Sequence, residues 1–342
     1  MSVKVGLAGF GLAGGSLHSP LLRAAEFEVT CILTSRWEAA MRAWPAARTV
    51  SAFDDLLSAP VDLIVIATPN HLHFSQAMAA LRAGKAVVLD KPMALTHAEC
   101  ETLCNLAERQ ERLLTVFHNR RWDSDFLTVA AALKEGLIGR PARFLNGWRR
   151  HRLEIRDRWR ERPGPGVGLF FDLGPHLIDQ TMMLFGPPIW VSADIFAARQ
   201  SQPQGVDDGF EVVLGYETMR AVLSASSLAA GPQREMRLDG TLASLVLEGF
   251  DPQEPRLRSG MPGDAPGLGD PEGAIDARLY QPDGSQRPVA MQSGAWPRFY
   301  QGVMAALSDG APPPVDPRAA AAVIRIVEAA RESAAHGRRV AL

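Results

Sequence analysis

The chain has 342 residues, of which 46% are hydrophobic and 22% charged, and its formal net charge is −2. This length exceeds one ordinary domain of ~100–200 residues, so we expect two globular domains. A near-neutral chain lacks the strongly basic face that binding to nucleic acid or an anionic membrane requires, which favours a small-molecule partner.

Short apolar runs alternate with helical patterns from the first residues to about residue 118. The candidate strands are Val3–Ala8, Phe27–Leu33, Leu63–Ala67, Ala86–Leu89 and Leu113–Phe117. Most of them are almost continuously apolar, as strands buried on both faces are. The helices predicted between them are Leu12–Ala25, His73–Ala83 and Thr96–Gln110. This alternation predicts an α/β Rossmann domain with a doubly wound parallel sheet.

After Trp122 the pattern changes to an α+β type. A helix at Asp125–Glu135, a run toward Arg150 and a helix from about Asp172 to Leu184 come first. Alternating strands then follow at Ile189–Ala198, Phe210–Tyr216, Ala221–Ser226, Arg234–Leu238 and Ala243–Leu247. They predict a large, mainly antiparallel open sheet with helices on one face.

We therefore predict a first domain at residues 1–122 and a second at 123–342. Asp251–Gly273 is rich in Pro and Gly and is predicted to be a surface loop. A C-terminal helix is predicted at Ala319–Ala335, and it could pack back on the first domain.

The three cysteines, Cys31, Cys100 and Cys104, form no Cys-x-x-Cys pair. This pattern predicts neither a disulfide framework nor a thiolate zinc site, and we interpret them as small buried hydrophobic residues. The run Met1–Phe10 has no basic leader, and no apolar stretch is long enough to span a bilayer. We expect a cytoplasmic protein with no membrane partner.

A glycine-rich turn, Gly9-Phe10-Gly11-Leu12-Ala13-Gly14, follows the first strand and opens a helix. In this setting the glycines permit a tight turn, close approach of a pyrophosphate and close helix packing. The free N–H groups of the helix N-terminus attract the phosphates. Gly9, Phe10, Gly11, Leu12 and Gly14 are therefore predicted to bind a dinucleotide.

The end of the second predicted strand carries Thr34-Ser35-Arg36 where NAD-binding proteins usually have Asp or Glu. Ser35 and Arg36 can bind a 2′-phosphate, and no carboxylate is present to repel it. We predict NADP as the cofactor, with NAD possible. The alternative is that Arg36 is an ordinary exposed loop residue.

Thr68-Pro69-Asn70-His71-Leu72-His73 follows the strand Leu63–Ala67, at the edge where such sheets bind ligands. Asn70 and His73 could cap the following helix or contact the cofactor, and Thr68 and Pro69 belong to the same turn. The His-x-His pair has no third ligand at suitable spacing, so no metal is predicted.

Asp90-Lys91-Pro92 follows the strand Ala86–Leu89 at the same edge. Lys91 could donate a hydrogen bond to a substrate hydroxyl and stabilise developing negative charge on its oxygen. A solvated surface lysine is the alternative.

Asp172, His176 and Asp179 would project from one face of a helix. The histidine could take an alcohol proton near neutral pH while a carboxylate orients the ring. The alternative is an N-cap aspartate beside a structural histidine. Eight arginines between Arg143 and Arg162 could line a pocket for a polyhydroxylated or anionic substrate or, for most of them, form a solvated or subunit-facing surface.

These motifs together resemble the Gfo/Idh/MocA oxidoreductase family over nearly the whole chain. The strings Thr34-Ser35-Arg36, Val116–Thr128, Arg158-Trp159-Arg160-Glu161 and Asp172–Gln180 resemble its NADP-dependent scyllo-inositol dehydrogenase subgroup. One departure is Asp90, which stands where the family signature commonly has Glu.

The resemblance implies roles for individual residues. Lys91 would be the catalytic lysine, His176 the general base and Asp172 its partner. Asn70, His73, Asp90 and Asn119 would lie by the cofactor, and Arg121 and Trp159 by the substrate.

A polyol or sugar substrate, hydride transfer at a secondary alcohol and a homodimer or homotetramer would follow from the resemblance. A non-catalytic NADP-sensing regulator on the same scaffold stays open, as does a dehydrogenase of another sugar, sugar acid or dihydrodiol.

Overall fold

The computed structural model describes residues 3–200, 202–231 and 234–342, so the first two residues of the predicted first domain lie outside it. Two compact units make up the described chain. The first runs to Asn119 and also includes Gln253–Leu268 and Ala295–Ile324. The second comprises Arg120–Pro252, Gly269–Gly294 and Arg325–Leu342. Two segments of the first unit thus come from residues 123–342.

The first unit contains a six-stranded parallel sheet, counted over the described residues, with the order β3-β2-β1-β4-β5-β6. Its strands are β1 Lys4–Ala8, β2 Glu28–Leu33, β3 Arg48–Val50, β4 Leu63–Ile66, β5 Ala86–Asp90 and β6 Leu114–Phe117. The doubly wound parallel sheet is confirmed. Strand β3 was not predicted, because its three residues carry too short a pattern.

A second sheet, in the second unit, has nine strands among the described residues, in the order β14-β13-β12-β11-β7-β10-β9-β8-β15. They are β7 Pro141–Arg149, β8 Trp190–Phe196, β9 Gly209–Gly215, β10 Arg220–Ser226, β11 Arg234–Gly240, β12 Ser244–Gly249, β13 Ile275–Tyr280, β14 Gln286–Pro288 and β15 Val340–Ala341. All neighbours are antiparallel except β7 and β10, which are parallel. The predicted open, mainly antiparallel sheet is confirmed.

Helices follow the predicted order with several differences in extent. The α-helices are α1 Ser19–Ala24, α2 Trp37–Ala43, α3 Phe53–Leu57, α4 His73–Arg82, α5 His97–Arg109, α6 Ser124–Lys134, α7 Gly168–Phe185, α8 Gln253–Arg258, α9 Pro297–Ser308 and α10 Pro317–His336. The segment predicted as one helix from Leu12 to Ala25 is instead a π-helix, Leu12–His18, followed by α1. The predicted loop Asp251–Gly273 contains α8.

Two helix ends carry residues suited to cap them. Thr96 caps α5 through a capping box, in which Glu99 N–H donates to Thr96 Oγ1 at 3.2 Å and Thr96 N–H donates to Glu99 Oε2 at 3.1 Å. Gly84 follows α4 with a φ of +73°, a conformation that favours glycine.

The late segment of the first unit is attached to β6 through a buried aromatic cluster. Phe117 contacts Phe299, with ring centroids 4.9 Å apart, and lies edge-on to Trp296 at 6.5 Å. Nearby, Thr115 Oγ1 donates to the carbonyl of Val315 at 2.8 Å.

The three cysteines are buried, as predicted. Burial raises the pKa of Cys104 to about 12, which keeps this thiol protonated and unreactive. Within the described ranges, no helix is both long and apolar enough to cross a membrane.

Candidate active site

Two glycines of the turn after β1 are required by the backbone around them. Gly9 has a φ of +96°, and a Cβ there would lie 2.6 Å from the carbonyl oxygen of Ala67 at the end of β4. A Cβ on Gly14 would overlap the carbonyl oxygen of Gly9, so only glycine permits the helix to begin this close to the strand.

Gly11 is different, because a Cβ added to it would meet nothing within 4 Å. Internal packing therefore does not require glycine here, while the missing side chain leaves the backbone open to a ligand. Gly11 is the N-cap of the π-helix, which has no side-chain cap. Open space beside the N-terminal N–H groups fits a pyrophosphate. Phe10 is buried beside this turn, whereas Leu12 is 46% exposed.

Next to this turn, the end of β2 presents Ser35 and Arg36 to solvent. Gly9 N–H donates to the carbonyl of Leu33 at 2.9 Å, which places the two strand ends side by side. Arg36 N–H donates to Thr34 Oγ1 at 2.8 Å and so shapes the turn. No hydrogen bond or ion pair engages the Arg36 guanidinium within the described residues, so it is available to an anion.

His73 connects two turns at this edge of the sheet. It is fully buried, with Nδ1 2.7 Å from the carbonyl oxygen of Pro92 and Nε2 2.9 Å from that of Thr68. Helix α4 has no side-chain cap, so the ring does not act as the cap considered from the sequence. Thr68 Oγ1 also donates to Gln76 Oε1 at 2.7 Å, and Asn70 is buried in the same turn.

Lys91 and Asp90 are buried at the end of β5, with exposed fractions of 9% and 8%. The alternative of a solvated surface lysine is therefore wrong. Lys91 N–H donates to Asp90 Oδ1 at 2.8 Å, and the Lys91–Pro92 peptide is cis.

A buried pair lies near Asp90. His18 Nδ1 is 2.6 Å from Tyr300 Oη, and burial lowers the pKa of His18 to about 4 although the charge of Asp90 opposes this shift. The ring is thus neutral near pH 7. The two residues lie 282 positions apart, so the sequence gives no signal for this contact.

The first unit thus gathers the predicted cofactor residues at one edge of its sheet. The carboxyl ends of parallel strands meet at the same edge. β1 ends at the glycine turn, β2 at Ser35 and Arg36, β4 at Thr68 and Pro69, and β5 at Asp90 and Lys91. β6 is followed closely by Asn119, which is buried.

Helix α7 in the second unit carries Asp172, His176 and Asp179 at helical spacing, as predicted. It begins at Gly168, one turn earlier than expected, so Asp172 is not its N-cap. Its cap comes from Asp207, whose Oδ1 accepts from Phe170 N–H at 2.6 Å. His176 is buried, with 5% of its surface exposed.

Asp179 is committed to an ion pair. Arg121 donates to it through Nε at 2.9 Å and through a terminal nitrogen at 2.6 Å, a bidentate geometry. Both side chains are nearly buried. The resemblance implied that Arg121 contacts the substrate. Its described contact is with Asp179 of α7, the helix that carries His176.

Asp172 lines an open cavity within the second unit. Four of the arginines in the run from Arg143 to Arg162 also line it: Arg150, Arg152, Arg158 and Arg160. Arg160 Nε lies 3.5 Å from Asp172 Oδ1, and its guanidinium stacks 4.6 Å from the ring centroid of Trp159. Trp159 itself is not among the lining residues.

Sequence reasoning missed several polar residues that support this region. Arg199, which lines the cavity, is buried and donates to Asp208 Oδ2 at 2.9 Å. Arg234 is 1% exposed and donates to Asp125 Oδ2 at 3.1 Å and to Gln180 Oε1 of α7 at 3.1 Å. The paired residues are far apart in the sequence, so no local pattern predicts these pairs. The one signal was Arg234, a charged residue in the strand predicted at Arg234–Leu238.

The described residues include no group of three or more His, Cys, Asp or Glu that could hold a metal ion. Two family models match the chain. The one described as "Oxidoreductase family, NAD-binding Rossmann fold" matches residues 3–118, and "Oxidoreductase family, C-terminal alpha/beta domain" matches residues 130–342.

Individual relatives match over the full length. The uncharacterized oxidoreductase YdgJ of Escherichia coli is 38% identical over 98% of this chain and 97% of its own. The NADP-dependent scyllo-inositol 2-dehydrogenase IolW of Bacillus subtilis is 35% identical over 100% of this chain and 96% of its own. The solved structure of the oxidoreductase yvaA from Bacillus subtilis superimposes with a TM-score of 0.93 at 35% identity, covering 100% of this chain and 98% of that one.

Proposed function

The chain belongs to the Gfo/Idh/MocA oxidoreductase family, and from this we propose that it transfers a hydride between NADP and a secondary alcohol of a polyol or sugar. It is an NAD(P)-dependent dehydrogenase of that family, and its first unit is a nicotinamide-nucleotide-binding Rossmann fold. Similarity to scyllo-inositol 2-dehydrogenase supports an inositol-like substrate. Other sugars, sugar acids and dihydrodiols are the alternatives to test.

The observation that carries the proposal is the placement of Lys91. A lysine is rarely buried without a specific role for its amine. Lys91 is buried at the ligand-binding edge of the six-stranded sheet. The backbone of Gly11, which is open to a ligand, lies at the same edge. A buried cation at that edge can stabilise negative charge that develops on a reacting oxygen.

NADP is preferred over NAD in this proposal because of the end of β2. NADP, when bound, supplies the nicotinamide ring that accepts or returns the hydride. Arg36 and Ser35 would hold its 2′-phosphate. Gly9, Gly11 and Gly14 would hold its pyrophosphate. Thr68, Pro69, Asn70, His73 and Asn119 would line the same edge.

His176 is proposed as the general base. It would take the proton of the substrate hydroxyl at a ring nitrogen. Lys91 would stabilise the negative charge that develops on a reacting oxygen. Asp172, one helical turn earlier on α7, would orient and stabilise the imidazolium that forms. In the reverse direction His176 returns the proton to the oxygen of a ketone.

To test these roles, scyllo-inositol, myo-inositol, aldoses and uronic acids are screened with NADP by the fluorescence of NADPH. With a good substrate, Lys91→Met and His176→Ala should each lower kcat by ~10²–10⁴-fold, while NADP binding is retained. The matched controls are Lys134→Met and His336→Ala, because both residues are exposed at helix ends. Unchanged kcat in both active-site variants would refute these roles. Tight NADP binding without turnover of any substrate would favour the regulator.

A further inference from the structure

The cavity beside α7 has an unusual charge. Five arginines and three carboxylates line it, and all of them belong to the second unit. Arg150 and Arg152 come directly after β7, Arg158 and Arg160 from the next segment, and Arg199 from the loop after β8. The first residues of α7, Gly168 and Leu169, form another part of the wall.

Each of the three carboxylates already has protein partners. Glu161 accepts from Arg158 at 2.7 Å and from the backbone N–H of Arg156. Asp172 lies beside Arg160. Asp207 accepts from the first turn of α7, and burial raises its pKa to about 6. Glu161 and Asp172 are thus shared with Arg158 and Arg160, and Asp207 with the backbone of α7.

Arg152 has little compensation for its positive charge. It is half-buried, and no described hydrogen bond or ion pair engages its guanidinium. Burial, followed by the charges of Arg150, Arg156 and Arg158, lowers its pKa to about 10, although the charge of Glu161 opposes this shift. The N-terminus of α7 adds the positive end of a helix dipole to the same wall. An anion in the cavity would relieve this crowding of positive charge.

We propose that this cavity binds the anionic group of the substrate, so that the preferred substrates are sugars or polyols bearing a carboxylate or a phosphate. The inference rests on the proposed function, because Asp172 lines the same cavity. Guanidinium groups bind both anions through paired hydrogen bonds, and five of them line this cavity. Arg152 would be the residue that distinguishes an anionic substrate from a neutral one.

Activity measurements with matched substrates test this assignment. Glucose is compared with glucuronate and glucose 6-phosphate, and myo-inositol with its monophosphate. We expect kcat/KM to be at least about tenfold higher for an anionic member, and Arg152→Gln to remove most of that advantage. Arg152→Lys should keep part of it, because the charge is retained. Arg143→Gln, an exposed arginine of β7 outside the cavity, is the control.

Binding measurements separate this inference from the proposed function. Isothermal titration calorimetry of D-glucuronate and of inorganic phosphate uses the full chain saturated with NADP, so that the cofactor site is filled. We expect binding of at least one probe that weakens about tenfold or more in Arg152→Gln and not in Arg143→Gln. Whichever probe binds identifies the acidic group.

The outcomes lead to different conclusions. If neither probe binds, or if Arg152→Gln leaves the affinity for the probe unchanged, the anion site is overturned even when the enzyme oxidises neutral polyols. Equal kcat/KM for paired neutral and anionic substrates overturns the substrate class. Arg152-dependent binding without any turnover would instead overturn the proposed dehydrogenase while the anion site stands.

Discussion

A single buried ring links the two turns that flank the proposed cofactor edge. A carbonyl oxygen can only accept, so a ring nitrogen of His73 that carries a proton can donate to the carbonyl of Thr68 or of Pro92. The imidazole thereby holds the backbone beside Lys91 at a fixed distance from the turn after β4. Its described contacts position this part of the edge, although the sequence suggested only a cap or a cofactor ligand.

Arg36 should determine the cofactor preference. Arg36→Ala is expected to raise KM for NADP about tenfold or more and to leave KM for NAD nearly unchanged, because only the 2′-phosphate meets the guanidinium. Steady-state kinetics with both cofactors measure this. Arg42→Ala, an exposed arginine on α2, serves as the control. Equal use of NAD and NADP by the parent protein would contradict the assignment.

Residues in local motifs could be placed from the sequence, whereas residues in distant pairs could not. The glycine turn and Lys91 follow strands whose apolar runs are readable, so their edge was predictable. The bidentate bond between Arg121 and Asp179 joins residues 58 positions apart. No periodicity encodes such a pair, because it depends on how the chain packs.

The start of helix α7 could not be predicted from the sequence for a similar reason. A helix start is predicted from a capping side chain just before it, but the residue before α7 is Val167. Asp207 supplies the cap from 37 residues away from Phe170. The first turn was therefore missed, although the apolar pattern from Asp172 onward was readable.

Stability should depend on the ionisation of Asp207. Burial raises its pKa from 3.8 to about 6, so the folded chain binds this proton more tightly than the unfolded chain does. The contribution of Asp207 to the free energy of unfolding consequently falls as the pH rises from about 4 to about 6. Asp207→Asn stays neutral, so its stability relative to the parent should increase by up to about 3 kcal/mol over that range. Urea denaturation at several pH values measures the difference, and a flat difference would contradict the raised pKa.

Gly168 should be essential to the same cap. It has a φ of +91°, and a Cβ there would overlap the carboxylate of Asp207. Gly168→Ala therefore combines backbone strain with displacement of the cap, and we expect a loss of about 2–4 kcal/mol in unfolding free energy. Gly136→Ala is the matched control, because Gly136 has a φ of +71° and open space around it. Equal losses in both variants would show that the contact with Asp207 contributes nothing.

At the scale of the whole molecule, one face of the nine-stranded sheet carries a half-buried apolar row. Ala221, Leu223 and Ala225 of β10 are buried on the side where α7 packs. On the other side, Val222 pairs in register with Val213 of β9 and Leu145 of β7. These three side chains form a half-buried apolar row across three strands.

We predict that this row mediates the expected homodimer or homotetramer. Val222→Arg should shift the protein toward monomer, because it places a charge in the apolar row. Light scattering after size-exclusion chromatography gives the mass. Leu242→Arg is the control, since Leu242 is 57% exposed in the turn between β11 and β12. A parent protein that is already monomeric would contradict the prediction.

The two sheets could be predicted from the sequence more completely than the assignment of late chain segments to the two units. Buried parallel strands and alternating antiparallel strands have distinct patterns, so both sheets were predicted. The return of Ala295–Ile324 to the first unit has no such signal. Its helix α9 was missed, and residues that pack against it lie on β6 and in and around α1, far earlier in the chain.

That return affects how the protein is made. During synthesis the strands of the first sheet leave the ribosome early, but Phe117 then lacks the rings of Trp296 and Phe299 that cover it in the finished fold. Folding units normally close as they emerge from the amino terminus onward. Here the Rossmann unit stays incomplete, with an exposed aromatic surface, until translation has passed residue 324. We therefore expect a fragment ending at residue 122 to expose this aromatic surface and to aggregate.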